Sequence, residues 1–155
     1  VANTSNVALE NFHLHDKLPY DSASVSALTT GTYNARLTYR ILYRTNYSGY
    51  RVLASNLLTT NNYGFSLSAI SLMYGEVVTD IYFDFGTVPT GFQCVDRPTL
   101  TVAVYPGVAN GYRVINRADA GGRYGGTWQT ANAAWITLVR KLTPSTGTTL
   151  PKTGY

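Results

Sequence analysis

Tyr33-Asn34-Ala35-Arg36-Leu37-Thr38-Tyr39-Arg40-Ile41-Leu42-Tyr43-Arg44 is the stretch that decides the fold class. Leu37, Tyr39, Ile41 and Tyr43 fall on one side of an extended chain. Arg36, Thr38, Arg40 and Arg44 fall on the other, with Leu42 the one apolar residue on the polar side. A period of two marks a strand with one face on a core and one in water. Residues 77–85 repeat the pattern, with Val77, Thr79, Ile81, Phe83 and Phe85 against Val78, Asp80, Tyr82 and Asp84.

Working outward, residues 7–15 read as an imperfectly alternating strand, broken by Asp16-Lys17-Leu18-Pro19. Tyr47-Ser48-Gly49-Tyr50 reads as a hairpin turn into Arg51-Val52-Leu53-Ala54, and Asn61-Asn62 precedes an apolar stretch around Phe65, Leu67 and Ile70. Leu67 to Tyr74 has room for one helical turn. Thr87-Val88-Pro89-Thr90-Gly91 is a turn, Leu100, Val102 and Val104 alternate, and a last strand is expected over 133–142. Short strands separated by turn residues predict an all-β, immunoglobulin-like antiparallel β-sandwich over residues 1–142. The inward candidates are Phe12, Leu37, Tyr39, Ile41, Tyr43, Val77, Ile81, Phe83, Phe85, Leu100, Val102, Val104, Trp135 and Leu138. On the reverse face, Arg36, Arg40 and Arg44 are expected beside Asp80 and Asp84 if the two strands are neighbours.

Composition agrees with this reading. The 155 residues are 45% hydrophobic and only 13% charged, with 13 tyrosines, enough chain for one domain with a core. Tyr and Thr favour strands. No run approaches the roughly 20 apolar residues of a membrane-spanning helix. The formal charge of +4 is scattered, so nucleic acid, which calls for a clustered basic stripe, is not an expected partner. One cysteine, Cys94, excludes an intrachain disulfide framework.

The end of the chain has a different character. Thr143-Pro144-Ser145-Thr146-Gly147-Thr148-Thr149 has no apolar periodicity and reads as a flexible tether over 143–155. It leads into Leu150-Pro151-Lys152-Thr153-Gly154-Tyr155. LPKTG resembles the LPxTG sorting signal of Gram-positive surface proteins. The resemblance implies that Leu150 and Pro151 are the recognition pair for a sortase, Lys152 the variable position, and Thr153 the residue whose carboxyl passes to a peptidoglycan amine, with Gly154 leaving. Proline suits an enzyme groove by fixing an extended backbone, and glycine permits close approach at the scissile bond. A complete signal continues into a hydrophobic segment and a basic tail. The end therefore reads as a trimmed fragment, and the start at Val1 as one from which upstream sequence was removed.

Further blocks occur in order: Thr30-Gly31-Thr32-Tyr33-Asn34, Glu76-Val77-Val78-Thr79, Phe85-Gly86-Thr87-Val88-Pro89-Thr90-Gly91-Phe92 and Ala118-Asp119-Ala120-Gly121-Gly122-Arg123-Tyr124-Gly125-Gly126-Thr127-Trp128. They resemble a conserved-repeat surface domain of Firmicutes. That resemblance implies a monomeric, extracellular, wall-anchored stalk or adhesin domain with sortase and peptidoglycan as partners, an unnamed host or environmental ligand, and no cofactor. In related pilins a lysine is joined to Asn or Asp. Here lysines occur only at 17, 141 and 152, Gly107 stands where the pilin lysine would follow Tyr105-Pro106, and Phe85 where the assisting glutamate would be. No cross-link is expected.

Chemical sites are sparse. His13 and His15 flank Leu14 on one face of a strand, one arm of a metal site without further histidines, and are expected to be a pair of surface imidazoles. Cys94 reads as a buried or half-buried inert thiol, and 121–126 as a glycine-rich loop between strands. No catalytic residue and no metal ligand is assigned. Two other classes stay open: a carbohydrate- or receptor-binding head of a viral or phage fibre, suggested by the Tyr/Asn/Ser/Thr-rich surface, and a hydrolase with an unrecognised site.

Overall fold

The computed structural model describes residues 1–139, and of 135–137 the backbone alone. The expected tether and LPKTG motif, Lys141, Lys152 and the end of the expected last strand lie outside the described residues.

Among the described residues eleven strands follow one another: β1 Leu9–Lys17, β2 Ala23–Thr29, β3 Thr32–Tyr33, β4 Thr38–Thr45, β5 Arg51–Leu58, β6 Gly64–Ser66, β7 Val78–Val88, β8 Cys94–Asp96, β9 Thr99–Val104, β10 Arg113–Tyr124 and β11 Thr127–Leu138. A 3-10 turn, Leu67–Ala69, is the helical turn for which 67–74 left room. A six-stranded sheet has the order β11-β10-β1-β7-β4-β5, and a three-stranded sheet the order β6-β2-β9. Every pairing is antiparallel, and the layers pack as a sandwich, as expected. The pairings also nest: β1 with β10, β2 with β9, β3 with β8, β4 with β7. The chain is thus a long hairpin wound into two layers, the winding of double-sheet jelly rolls.

The core lies where the alternation puts it. Phe12, Tyr39, Ile41, Tyr43, Ile81, Phe83 and Phe85 are buried. They are joined by residues without a strong pattern, namely Leu9, Leu18, Leu28, Tyr33, Leu57, Leu67, Val88 and Phe92. Phe12, Tyr33, Phe85 and Phe92 meet in edge and stacked contacts with centroids 5.0–6.2 Å apart. Each such side chain contributes about 1.5–3 kcal/mol when fully buried, before the opposing chain entropy.

Four expectations need correction. Val102, Val104 and Leu138 are exposed, at 45%, 40% and 65%. β9 pairs with β2 at the margin of the small sheet, and of its alternating residues Leu100 packs against the core. Leu37, Val77 and Leu100 are only half-buried, and the side chain of Trp135 is outside the described residues. The strand expected over 33–44 is two strands. Thr59 draws the intervening residues out of the ladder, its Oγ1 accepting from the Leu37 N–H and donating to the Ala35 carbonyl. Finally, Gly121 and Gly122 are not a loop but lie within β10, and only Gly125 and Gly126 form the turn to β11. They are glycines because of close approach: a Cβ at Gly121 would sit 2.1 Å from the Gln129 carbonyl oxygen, and one at Gly122 2.9 Å from that of Glu10.

Candidate functional site: the outer face of the six-stranded sheet

The imperfect alternation of β1 has a cause. Asn11 adopts a left-handed φ of 51°, and the register with both neighbouring strands shifts between Leu9 and His13. This bulge lets Leu9 and Phe12, three residues apart, both face the core. After it, strict alternation resumes. Leu14 and Asp16 point inward with their partners Phe83 and Ile81, while His13, His15 and Lys17 point outward. On that outer face His13 lies opposite Asp84, His15 lies between Tyr82 and Asp119, and Lys17 lies between Asp80 and Arg117. Beyond β7, Arg40 is opposite Asp84 and Arg44 opposite Asp80.

Asp80 is the hub. Its Oδ2 is 2.6 Å from His15 Nε2, while its Oδ1 accepts from Thr79 Oγ1 at 2.6 Å and from Arg44 at 2.8 and 3.0 Å. Burial by itself raises the Asp80 pKa, but the hydrogen bonds from Thr79, His15 and Arg44 outweigh it and hold the carboxyl below its ordinary range. Asp119 stands 3.5 Å from His13 Nε2 and 3.6 Å from both His15 Nδ1 and Lys17 Nζ. Arg40 donates to Asp84 at 2.9 Å. The expected ladder of Arg40 and Arg44 with Asp80 and Asp84 is therefore formed, without Arg36.

Aromatic rings cover the same face. His13 stacks on Tyr82 with centroids 5.2 Å apart and planes 11° from parallel. Trp128 meets His13 edge-on at 6.0 Å. On the other side Tyr82, His15 and Tyr50 are 5.6–6.4 Å apart. The row runs from β11 to the β4–β5 turn. Each end carries a guanidinium, with Arg123 5.7 Å from the Trp128 centroid and Arg44 5.4 Å from that of Tyr50.

This arrangement corrects the reading of the histidines as plain surface imidazoles. His13 is 9% exposed, and both nitrogens of His15 face carboxylates. Among the described residues no serine, threonine or cysteine side chain hydrogen-bonds either ring; the hydroxyl nearest to one is that of Tyr50, 3.3 Å from His15 Nε2. Nor do three His, Cys, Asp or Glu side chains among them converge as a metal ion requires. Cys94 is half-buried on β8, and burial pushes its thiol pKa up, away from the reactive range, as the sequence suggested. Asp119, Tyr50 and Trp128 were not legible as site residues. The only signal was parity: Tyr82 falls on the polar side of its strand.

A concavity of about 520 Å³ lies between residues 1–5 and the inner side of β10 and β11, floored by Leu14, Ala118, Ala120, Ala131 and Ala133. Comparison of the chain with protein families, with curated proteins and with solved structures returns no match.

Proposed function

We propose that this chain is a non-catalytic module of a cell-wall-anchored bacterial surface protein, a stalk or adhesin domain that a sortase attaches to peptidoglycan at Thr153. The observation that carries the reading is the motif Leu150-Pro151-Lys152-Thr153-Gly154 shortly after β11 of an all-β sandwich, with a Thr/Pro/Gly segment between them. The enzyme's thiolate attacks the Thr153 carbonyl carbon, the Thr–Gly peptide bond breaks and Gly154 leaves with its amine. A wall amine then displaces the thiolate from the thioester. The domain itself supplies a folded, polar-surfaced body outside the cell. Incubation with a sortase and triglycine tests this. The expected product ends in Thr153 joined to triglycine and has lost Gly154-Tyr155, and an unaltered chain mass overturns the reading.

A second reading, a receptor-binding head of a viral or phage fibre, is favoured by the nested strand winding and the ring-lined face. Light scattering separates the two: a stable trimer supports the fibre head, a monomer the wall module.

A further inference from the structure

We propose that the outer face of the six-stranded sheet binds a neutral, extended, β-1,4-linked oligosaccharide along the row Trp128–His13–Tyr82–His15–Tyr50. The inference rests on the ligand-presenting role shared by both readings above, and not on the anchoring reaction.

Three observations carry it. The first is the row itself. Four ring-to-ring contacts in series, 6.0, 5.2, 5.7 and 6.4 Å, hold five rings in a line across strands far apart in sequence, with the buried His13 packed face to face on Tyr82 so that Trp128 and Tyr50 offer the open faces. Its outer members are open to solvent, Trp128 at 49% and Tyr50 at 41%, while the inner rings are held by the sheet register and by hydrogen bonds. Such a surface is preorganised, so little side-chain freedom remains to be lost on binding. Pyranose rings with equatorial substituents present flat C–H faces that stack on aromatic faces, and β-1,4 linkage keeps successive rings extended.

The second observation is the polar pattern. Carboxylates and cations interleave beside the rings: Asp84 with Arg40, Asp80 with Arg44, Asp119 with Lys17. A sugar hydroxyl both donates and accepts, so an adjacent acceptor and donor satisfy it together. A polyanion such as single-stranded nucleic acid would stack on the same rings, but its phosphates would meet Asp84 and Asp119 and lack an uninterrupted basic track. The third is shape. The face is the open surface of a sheet, which suits a segment of a polymer better than an enclosed small molecule.

The experiment uses the whole chain with cellotetraose and chitotetraose as probes, and tetragalacturonate and a single-stranded octanucleotide for comparison, followed by calorimetry and by amide chemical shifts. At least one neutral tetramer is expected to bind with Kd of about 1 mM or tighter, with shifts confined to β1, β4, β7, β10, β11 and the β4–β5 turn and little change when NaCl is raised. W128A and Y50A, both at exposed side chains, are each expected to weaken binding about tenfold, while circular dichroism and melting temperature stay those of the parent. Absence of binding by both neutral tetramers, tighter binding of the octanucleotide or tetragalacturonate, or undiminished affinity in both variants overturns the proposal. Failure of the sortase reaction leaves every one of these measurements unchanged.

Discussion

Asp16→Asn should make this protein more stable at neutral pH and less sensitive to pH. Asp16 points to the core side of β1, opposite Ile81 and Ala118. Its Oδ1 has no hydrogen-bond partner, and neither has the Oδ1 of Asn116 on β10. Burial raises the carboxyl from its usual 3.8 to about 6, opposed by a hydrogen bond from Asn116 and reinforced by the negative charge of Asp80. The folded state therefore holds this proton more tightly than the unfolded chain does. The stability linked to Asp16 is fully present below pH 3.8 and is lost as pH rises through about 6. Each unit is worth about 1.4 kcal/mol, so the interval from 3.8 to about 6 amounts to about 3 kcal/mol at pH 7. Partial solvent access reduces the expected gain to about 1–2 kcal/mol. Asparagine carries no charge, and its amide N–H offers the orphaned Asn116 Oδ1 a donor. Urea unfolding of parent and variant from pH 4 to 7.5 reads the difference directly. Asp80 and Glu76, whose carboxyls are held below their ordinary ranges, lose their contributions at low pH in both proteins and so cancel. The variant should match the parent near pH 4 and exceed it at pH 7. A difference that does not grow with pH, or a variant less stable at pH 7, refutes the account.

Two further outcomes follow from the geometry. Arg40 and Asp84 are 2.9 Å apart, but the arginine side chain is 52% exposed, so Arg40→Ala should cost under about 1 kcal/mol in thermal unfolding; a larger loss would mean that this face is covered in an assembly. Gly31 has φ of 72° and its Cβ position lies 2.3 Å from the Asp96 carbonyl oxygen, whereas Gly86 at φ 70° has open space around it. Gly86→Ala should cost only the left-handed penalty of about 1–2 kcal/mol, and Gly31→Ala clearly more because β3 and β8 must separate; equal melting temperatures for the two variants would show that the approach relaxes freely.

The sequence by itself determined parity. Alternation in 33–44 and 77–85 put Ile41, Tyr43, Ile81, Phe83 and Phe85 on the core side and Arg40, Arg44, Asp80, Tyr82 and Asp84 on the other, because a strand's faces are fixed by its own backbone. From parity and turn residues the antiparallel sandwich was legible. Which strands are neighbours is a long-range matter, and there the pattern fell silent. β9 alternates as well as any strand, yet Val102 and Val104 are exposed, because β9 is the margin of its sheet. Gly121 and Gly122 look like loop residues until the backbones of Gln129 and Glu10 are seen to press on them.

The outer face is the sharpest case. His15 meets Asp80 across 65 residues of chain, and Asp119 and Trp128 come from strands whose composition announces nothing. Only the placing of β1 between β7 and β10, with a bulge at Asn11 that turns Phe12 inward and His13 outward, brings the rings and carboxylates together. Local spacing specifies which way a side chain points; burial and cross-strand contact depend on partners that the winding of the whole chain selects.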